Sequence, residues 1–466
     1  MRNIYPHRAL VAIGMVIAVA PLSPISGQQQ PPPLSILEAV QSALRSYPSI
    51  TVSQEQINAA ASAIDLARTG YLPRVDTIAQ VNRATRNNVL GLLLPQGVLP
   101  SISGPVLGSN NFGSVWGSAV GTLVSWEPFD FGLRRASVSA ATASRTHSEA
   151  TLRRTEFDVS VATADAYLTL LAAQETVRAA QAGVDRAQVL AQTVRAQADA
   201  QLRPGADASR AEAELAAART QLVQAQEAEQ VARALLSQFL GIQPQQVTIS
   251  APKLLQLPLE QQAAPLDAAQ NPVAAEQNAL VEQKKAELLI LEKSFVPRFL
   301  AQGSAYARGT GAGVDGARFG GLNGLAPNTQ NYALGFTVAF PLFDLPSIRA
   351  REAGQLASIR SEAARYQQIT TNLTARWNEA VAALEGSRRV AANTPVQVSA
   401  STAANQQAAA RYQAGLGTIV EVADAQRLLT QAEIDDALAH LGVWRALLGV
   451  AAAIGDIQPF LAEASQ

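Results

Sequence analysis

The chain contains the same short junction twice, and this duplication limits the possible folds more than any other feature of the sequence. Residues 126–136 have the sequence WEPFDFGLRRA, and residues 340–350 have the sequence FPLFDLPSIRA. Phe129 thus recurs as Phe343, at a shift of 343 − 129 = 214 residues. An alternating segment with aromatic residues precedes each junction, and a long alanine-rich segment follows it. The sequence therefore predicts two copies of a unit in which strands lead into long helices.

The segments after the two junctions are predicted to be long helical hairpins. Residues 134–201 contain no proline, and positions such as Val159 and Ala166 follow the helical period. At ~1.5 Å per residue such a helix is ~100 Å long. The chain turns back at 203–205 in the first copy and at 415–418 in the second. Because aromatic residues form only 5% of a chain rich in alanine, we expect extended helix packing rather than one thick core.

Each copy also contains two predicted strands. In the second strand of each copy, large apolar residues alternate with glycine and alanine, and aromatic residues stand at both ends of the apolar face. A half-buried strand of a soluble sandwich would carry polar residues on its other face, so the pattern favours a membrane strand with interfacial aromatic girdles over sandwich core. The predicted strands are at about 74–87 and 113–129, and at about 298–308 and 331–343. The predicted girdle residues are Trp116, Trp126, Tyr332, Phe336 and Phe340.

The N-terminus carries a predicted secretory signal peptide at residues 1–27. Arg2 and Arg8 precede an apolar run, and small residues follow that run. The chain has no cysteine, so we expect neither disulfides nor a lipid anchor on an N-terminal cysteine. The rest of the chain is predicted to divide into a first repeat over 28–241, an inter-repeat linker over 242–270, a second repeat over 271–455 and a C-terminal tail over 456–466.

Four strands per chain are too few to close a membrane barrel. Open strand edges in lipid would leave backbone groups without hydrogen-bond partners. Three copies of the chain would supply twelve strands, an even number as in bacterial barrels. The long helices would then continue the tube on the periplasmic side. The sequence therefore predicts a hollow cylinder that conducts solute.

Three sets of motifs give the chain a specific resemblance to a known family. They are the helix-to-strand joints YLP at 71–73 and FVP at 295–297, the strand-to-helix joints PFD at 128–130 and PLFD at 341–344, and YQAGLGTIVEVADA at 412–425. In these motifs the chain resembles the TolC-type outer-membrane efflux proteins, over residues of about 35–455. The resemblance implies a mainly α fold with a membrane β-barrel portion. The expected assembly is a homotrimer in which a twelve-stranded outer-membrane barrel continues into an α-helical periplasmic barrel.

The resemblance also implies a function and partners. Such proteins are exit ducts of tripartite export systems in the Gram-negative outer membrane, and they join a periplasmic adaptor and an inner-membrane pump that supplies the energy. The expected function here is passive conduction of small molecules or drugs, with protein export in a type I system as the alternative. A soluble periplasmic coiled-coil adaptor is an alternative from another class, although it would not need girdled strands.

In that family, the turn between the last two long helices narrows the periplasmic entrance. A tyrosine and an arginine hold the closed state there, and acidic residues line the aperture. On this chain the match places Tyr412 at the tyrosine, and it places Asp207, Glu421 and Asp424 at acidic positions. Gly417 occupies the arginine position. The resemblance therefore predicts that the arginine tie is absent and that other contacts hold a closed state.

Helix capping is a simpler explanation for most of the acidic residues. Thr418 and Glu421 fit the capping box S/T-x-x-E, and Asp207 stands where an N-cap would start the returning helix. These roles are compatible with a position in the aperture. Asp424 has no capping role and is the better candidate for the aperture. The aspartates predicted to cap the long helices after the two junctions are Asp130 and Asp344.

The sequence shows no sign of catalysis or nucleic-acid binding. It contains no nucleotide-binding loop, nucleophile elbow or zinc motif, and its three histidines lack metal-ligand spacing. We therefore expect no enzymatic activity, no cofactor and no metal site. A net charge of −1 gives no reason to expect nucleic acid. A trimeric adhesin is disfavoured because the longest helices lie beyond the strands as hairpins and not as a stalk.

Overall fold

The computed structural model describes residues 33–85, 113–259, 262–313 and 317–465. The predicted signal peptide at 1–27 and the last two residues of the predicted first strand, 86–87, lie outside these ranges. The helices are α1 (Ile36–Ser46), α2 (Pro48–Thr69), α3 (Leu133–Asp199), α4 (Gly205–Leu240), α5 (Pro272–Glu292), α6 (Leu345–Gln413), α7 (Ile419–Ile454) and α8 (Gln458–Ala464). The strands are β1 (Arg74–Thr85), β2 (Ser114–Phe129), β3 (Arg298–Thr310) and β4 (Thr329–Ala339).

The four strands form one antiparallel sheet in the order β1-β2-β3-β4. Arg74 pairs with Ser125 at one end of the β1–β2 ladder, and Thr85 pairs with Ser114 at the other. The β2–β3 ladder is continuous except for a shift in register between Trp126 and Phe129. Since β1 and β4 each have one neighbouring strand, both outer edges of the sheet are open in the described part of the chain.

The second strand of copy two is shorter than predicted. β4 ends at Ala339 and not at 343, because Pro341 has no N–H to donate to a strand ladder. The residues Leu342–Asp344 form a 3-10 turn, and α6 begins directly after it. β2, in contrast, extends to Phe129. The two junctions therefore differ in geometry in spite of their similar sequences.

The helix α3 is central to the helical layer. It packs against α1, α2, α4, α5 and α7, whereas α6 packs against α5 and α7. Near the sheet the order across the layer is α2-α3-α5-α6, and away from the sheet it is α4-α3-α7-α6. Many of the buried positions of α3 are alanines, as at Ala150, Ala166 and Ala180. Small side chains at the contact shorten the distance between helix axes, so the neighbours of α3 lie close to it along its length.

The two helical hairpins end in turns of the same construction. The N–H of Leu202 donates to the carbonyl of Gln197 in the first turn, and the N–H of Leu416 donates to that of Arg411 in the second, at the shift of 214 residues. Gln201 and Gly415 adopt the left-handed conformation at corresponding positions, with φ of 58° and 78°. A left-handed residue of this kind lets the next amides bond the last helical carbonyls. The backbone of one tip is thus repeated in the other with different residues.

The main hydrophobic core lies where α1, α3, α4, α7 and α8 converge, far from the tips. Trp444 is fully buried there, contacts Phe460 of α8 at 6.2 Å between ring centroids, and donates its indole N–H to the carbonyl of Gln256 at 2.8 Å. The inter-repeat linker crosses this region, and its residue Ile249 forms a parallel bridge with Leu34. The linker and the C-terminal segment therefore close the core between the two hairpins.

Among the described helices, α7 is the one that is long and apolar enough, by length and composition, to cross a membrane. Its apolar residues belong largely to the core of the protein. Leu441, Trp444 and Leu448 are 4%, 0% and 3% exposed. A buried core helix meets the same criterion of length and composition.

Replacement of Tyr167 by phenylalanine should lower the free energy of unfolding by about 1–2 kcal/mol. The Tyr167 side chain is fully buried, and its hydroxyl lies 2.9 Å from the carbonyl oxygen of Leu34 and 3.2 Å from that of Ser250. Burial raises the pKa of this phenol, so it stays protonated and donates to the two segments that cover the core. Thermal unfolding of the purified protein in detergent measures the effect. Tyr366→Phe, at a half-buried tyrosine of α6, is the control, and equal melting temperatures of the two variants would contradict the role of Tyr167.

Candidate functional site

The register of the sheet assigns its side chains to two unlike faces. On the face that we call outer, Val75 pairs with Val124, and Val124 pairs with Gly303. On the opposite, inner face, Ser125 pairs with Gln302 one row away. Further outer-face residues are Thr77, Ala79, Val120, Thr122, Ala305, Ala307 and Leu334, and further inner-face residues are Asp76, Gln80, Ser304, Tyr306, Arg308 and Asn331. The outer face is therefore mainly apolar, whereas the inner face carries charged and polar residues together with Ile78, Leu123 and Leu300.

The girdle candidates that belong to strands all lie on the outer face. Trp126 pairs with Ala301 of β3, and Ala301 pairs with Phe336 of β4. The rings of Trp126 and Phe336 therefore lie at the same level of the sheet. Tyr332 lies four residues further along β4, in the middle of the sheet. Phe340 follows the end of β4, and its ring centroid lies 5.3 Å from that of Phe295. The structure thus places Trp126, Phe336 and Phe340 at the end of the sheet next to the helices.

Further aromatic rings join the same end of the outer face. The ring of Phe299 lies 6.4 Å from that of Phe129, 5.8 Å from that of Phe131 and 6.0 Å from that of Phe336. Phe129 and Phe131 remain 66% and 57% exposed. Sequence analysis missed this cluster because it considered the second strands only, although Phe299 stands at the start of β3. The aromatic end of the outer face therefore extends across β2, β3 and β4.

One polar residue, Ser118, interrupts the apolar outer face of β2, and a loop covers it. A Cβ atom at Gly309 would lie 2.3 Å from the carbonyl oxygen of Ala326 and 2.8 Å from the Oγ of Ser118. The backbone of the loop after β3 therefore passes directly over this row of the sheet. Ser118 is accordingly only 7% exposed. The break in the alternation marks a covered position, so it does not interrupt the exposed apolar surface.

The two junction aspartates behave differently. The carboxylate of Asp130 accepts from the N–H of Arg134 at 2.6 Å and from that of Gly132 at 3.1 Å, and so caps the start of α3. Asp344 occupies the N-cap position of α6, but its side chain makes no capping hydrogen bond. The preceding 3-10 turn holds Asp344 in a helical conformation, with φ −85° and ψ −8°, whereas a capping side chain needs an extended residue. The predicted cap by Asp344 is therefore not formed.

The tips of the two helical hairpins meet in a small apolar cluster around Tyr412. The tyrosine is 3% exposed and packs with Val194 of α3, Ala211 of α4 and Ile419 of α7. All four long helices thus contribute to one cluster. The two tips of the chain are therefore held together.

Arg203, which sequence analysis did not consider, is an arginine that contacts Tyr412. Its guanidinium carbon lies 4.5 Å from the centroid of the tyrosine ring, and its Nη2 donates to the carbonyl of Tyr412 at 2.6 Å. Arg203 belongs to the α3–α4 turn, and because 203 + 214 = 417, it is the first-copy counterpart of Gly417. Gly417 thus stands where the resemblance places an arginine, and the contact with Tyr412 comes instead from Arg203 of the first repeat. A comparison of the two turns at the repeat shift would have singled out Arg203, but not its contact with Tyr412.

Asp207 does not cap α4. The N-cap residue is Pro204, and Asp207 lies within the first turn of the helix, so the predicted N-cap role is wrong. The negative charge of its carboxylate instead affects the pKa of Tyr412. Burial is the main cause that raises the pKa of Tyr412, the negative charge of Asp207 raises it further, and the charge of Arg203 opposes these effects. The phenol is therefore kept in its neutral form in the cluster at the tips.

Glu421 combines a capping position with an ion pair. Its N–H donates to the Oγ1 of Thr418 at 3.3 Å, and its carboxylate lies 3.7 Å from the Nε of Arg411. Gly417 lies in the same corner, where a Cβ atom would be 3.2 Å from the Oε2 of Glu421 and 3.3 Å from the backbone nitrogen of Tyr412. A longer side chain at 417 would therefore displace Glu421. The tip is built for a glycine at this position.

Asp424 also has an arginine partner. It pairs with Arg427 one turn along α7, and the Nε of Arg427 lies 3.8 Å from the Oε2 of Glu214 on α4. The Asp424 and Arg427 side chains are 56% and 64% exposed, and such pairs contribute about 0–1 kcal/mol. Sequence analysis missed this counter-charge, although the i,i+3 spacing of the two residues was a visible signal. Within the described ranges, no group of three or more acidic or histidine residues is placed to hold a metal ion.

Comparison with known proteins identifies relatives of this arrangement. A family model described as outer membrane efflux protein matches residues 39–242 and 260–456. No curated protein matches the chain in sequence. Among solved structures, the chain is similar to the CmeC outer membrane channel of Campylobacter jejuni, with 16% identity over 92% of this chain and 89% of that one and a TM-score of 0.73.

Two further solved structures show the same fold. The open state of the MtrE outer membrane channel of Neisseria gonorrhoeae is 19% identical over 91% of this chain and 89% of that one, with a TM-score of 0.70. The outer membrane protein VceC of Vibrio cholerae is 17% identical over 90% of this chain and 96% of that one, with a TM-score of 0.68. The helical layer and the four-stranded sheet therefore have the architecture of outer-membrane channels.

Replacement of Arg203 by methionine should loosen the α6–α7 turn. A hydrogen bond from a charged donor contributes about 1.5–3 kcal/mol, so amide exchange in residues 413–418 should accelerate roughly ten- to a hundredfold. Hydrogen exchange of the purified protein, followed by mass spectrometry, measures this change. Arg195→Met is the matched control, because Arg195 is also near the tip and, among the described residues, pairs with Glu212 of α4 rather than with the α6–α7 turn. Unchanged protection in Arg203→Met would contradict the tie between the two hairpins.

Proposed function

Because the chain belongs to the outer membrane efflux protein family, we propose that it is the exit duct of a tripartite export system and passively conducts small molecules or drugs across the outer membrane. The protein is an outer-membrane channel of this family, and it extends into the periplasm. Its proposed partners are two further copies of itself, a periplasmic adaptor and an inner-membrane pump. Export of proteins in a type I system is the alternative cargo, and the class of the pump encoded beside this gene would distinguish the two.

The two-faced sheet with open edges is the observation that carries this proposal. The outer face is mainly apolar, the inner face carries charged and polar residues, and the edges at β1 and β4 lack partners in the described part of the chain. Unpaired backbone groups cost several kcal/mol each in hydrocarbon. Pairing of β1 in one copy with β4 in the next removes both edges. Three copies would then form a twelve-stranded barrel with a polar interior.

The helical layer also supports the closure of a tube by several copies of the chain. Its end helices away from the sheet are α4 and α6. Val223 and Val231 of α4 are 61% and 65% exposed, and Val390 and Val396 of α6 are 55% and 66% exposed. Contact between α4 of one copy and α6 of the next would bury these side chains. The proposed tube of helices is therefore continuous with the proposed barrel.

On this proposal the chain consists of two repeats and the segments around them. The order α2-β1-β2-α3-α4 recurs as α5-β3-β4-α6-α7, which supports a first repeat over 28–241 and a second over 271–455. The segment 242–270 would be the linker between them, 456–466 the C-terminal tail and 1–27 the signal peptide.

The tips of the hairpins are proposed to form the periplasmic aperture. Tyr412 and Arg203 would hold the closed arrangement, since they join the two turns of one chain. The acids Asp207, Glu421 and Asp424 would lie around the axis in three copies. Since Arg411 and Arg427 accompany two of these acids, the field at the aperture should be moderately and not strongly negative.

Reconstitution tests the duct directly. The purified protein should have the mass of three chains in detergent, after correction for bound detergent, and should produce discrete steps of conductance in planar lipid bilayers. A closed barrel is required for both results. Recovery of the protein from the soluble periplasmic fraction, as a monomer without conductance, would instead support the soluble adaptor.

The double replacement Glu421→Ala with Asp424→Ala should weaken block of the conductance by multivalent cations. Carboxylates that converge on a narrow axis attract cations strongly, and the double replacement also removes the carboxylate that lies beside Arg411. Current recordings with a trivalent cation on the periplasmic side measure the concentration for half block. Asp65→Ala, which removes an exposed carboxylate of α2 far from the tips, is the control. An unchanged half-block concentration in the double variant would remove these acids from the aperture.

A further inference from the structure

We propose that Arg83, at the end of β1 remote from the helices, binds the phosphate group of a lipid headgroup in the outer leaflet of the outer membrane. The proposal depends on the membrane position of the outer face of the sheet and adds a lipid site to the proposed duct. It rests on three observations, which are the position of Arg83 on that face, the contacts that hold its guanidinium group, and the lack of a carboxylate beside it among the described residues.

Arg83 stands at the end of an otherwise uncharged surface. In β1 the outer face is formed by Val75, Thr77, Ala79 and Val81, and Arg83 is the next residue of the same alternation. Among the described outer-face positions of the four strands, Arg83 is the one with a charged side chain. A cation on the lipid-facing side of a membrane strand costs about 2–4 kcal/mol at the midplane and about 0–1 near the interfaces. Arg83 lies one outer-face position before the end of β1, so it stands near the edge of the sheet, where a membrane permits a cation.

The level of Arg83 is set by the tryptophan opposite it. Arg83 pairs with Trp116 across the β1–β2 ladder, ten residues along β2 from Trp126. A strand tilted by ~40° rises ~25 Å over that length, which equals the height of an outer-membrane apolar band. If Trp126 lies at the edge next to the helices, Arg83 and Trp116 lie at the opposite edge. This is the level of the phosphate groups in the outer leaflet.

Two contacts hold the guanidinium group of Arg83 in place. Its central carbon lies 5.2 Å from the centroid of the Trp116 ring, and its Nε donates to the Oγ of Ser114 at 2.9 Å. Within the described residues, neither Nη group of Arg83 has a hydrogen-bond acceptor. A planar guanidinium fork held in this way matches two phosphate oxygens. The order imposed by Trp116 and Ser114 also reduces the entropy lost when a ligand binds.

Arg83 differs from the arginines at the other end of the sheet in having no acidic partner. Arg74 of the same strand pairs with Asp76 at 2.9 Å, and Arg298 of β3 makes a bidentate pair with Glu127 at 3.0 and 3.1 Å. Within the described residues Arg83 forms no such pair. Its charge is therefore uncompensated by the described part of the protein, at a level where the membrane offers anionic groups.

Native mass spectrometry of the full-length assembly tests the proposal. The protein is released from phosphatidylcholine nanodiscs that contain diphosphoryl lipid A, or none, and the fraction that carries lipid A is measured. Arg83→Gln should weaken binding roughly fivefold, which corresponds to the contribution of one arginine near a charged membrane surface. The lipid A binding of Arg83→Lys should lie between that of the unaltered protein and that of Arg83→Gln, since lysine keeps the charge but lacks the planar guanidinium group. Arg74→Gln, on the same strand but on the inner face at the other end, is the matched control and should bind as the unaltered protein does.

Each other outcome overturns the lipid site. Unchanged binding in Arg83→Gln, or an equal loss in Arg74→Gln, would show that Arg83 is not the contact. Displacement of lipid A by an equal concentration of inorganic phosphate would assign the position to a free anion. The conductance of Arg83→Gln in planar bilayers should match that of the unaltered protein. Failure of the lipid site would therefore leave the duct intact, whereas absence of conductance in the unaltered protein would remove the duct itself.

Discussion

The packing of small side chains along α3 is the interaction on which the rest of the structure depends. This one helix contacts five others, and it runs from the sheet to the tips. Its buried alanines let α2 and α5 lie beside its upper part and let α4 and α7 lie beside its lower part. Alanine contributes little buried area per residue, so the stability of the layer comes from the length of the contacts. The larger side chains are concentrated where the linker, α1 and α8 meet α3 and α7, around Tyr167 and Trp444.

The duplication explains why the two tips have the same backbone conformation, and the residues that differ between the two copies make the contact between the tips. The two tips have a left-handed residue at the same position, Gln201 in one and Gly415 in the other, and the same hydrogen bond between the sixth and first residues of the turn. Their side chains differ, since Arg203 in one copy replaces Gly417 in the other. This exchange places the guanidinium group on one hairpin and its tyrosine on the other.

The sequence predicted those features that follow from a local pattern. The period of two in β2 and β4 defined one apolar face, and the sheet places Trp126 and Phe336 on that face at one level. The lengths of the long helices followed from the scarcity of helix-breaking residues, although α6 also continues through Pro395. A proline in a helix interior costs about 3 kcal/mol. The extended contact of α6 with α7 on both sides of that residue outweighs this cost.

Features that depend on contacts between distant segments could not be predicted in the same way. The partner of Tyr412 lies 209 residues away at Arg203, and no spacing rule connects two turns that meet only after folding. The cap predicted for Asp344 failed for a related reason. Its sequence resembles that around Asp130, but Pro341 ends the strand early and a 3-10 turn changes the conformation of the aspartate. In both cases the residue type was informative, but the backbone around it decided the contact.

The distribution of contacts along the long helices determines which part of the molecule can move. Around Trp444 the helices share a core of large, fully buried side chains, and opening there would expose several of them to water at about 1.5–3 kcal/mol each. At the tips the buried cluster is smaller, and its large side chains, Tyr412 and Ile419, pack with valines and with alanines such as Ala211. The remaining contacts there are exposed ion pairs and the bond from Arg203. Local opening favours the region with the fewest buried apolar contacts. Movement of the hairpins should therefore begin at the tips and end at the core, so that an aperture can open without disturbing the sheet.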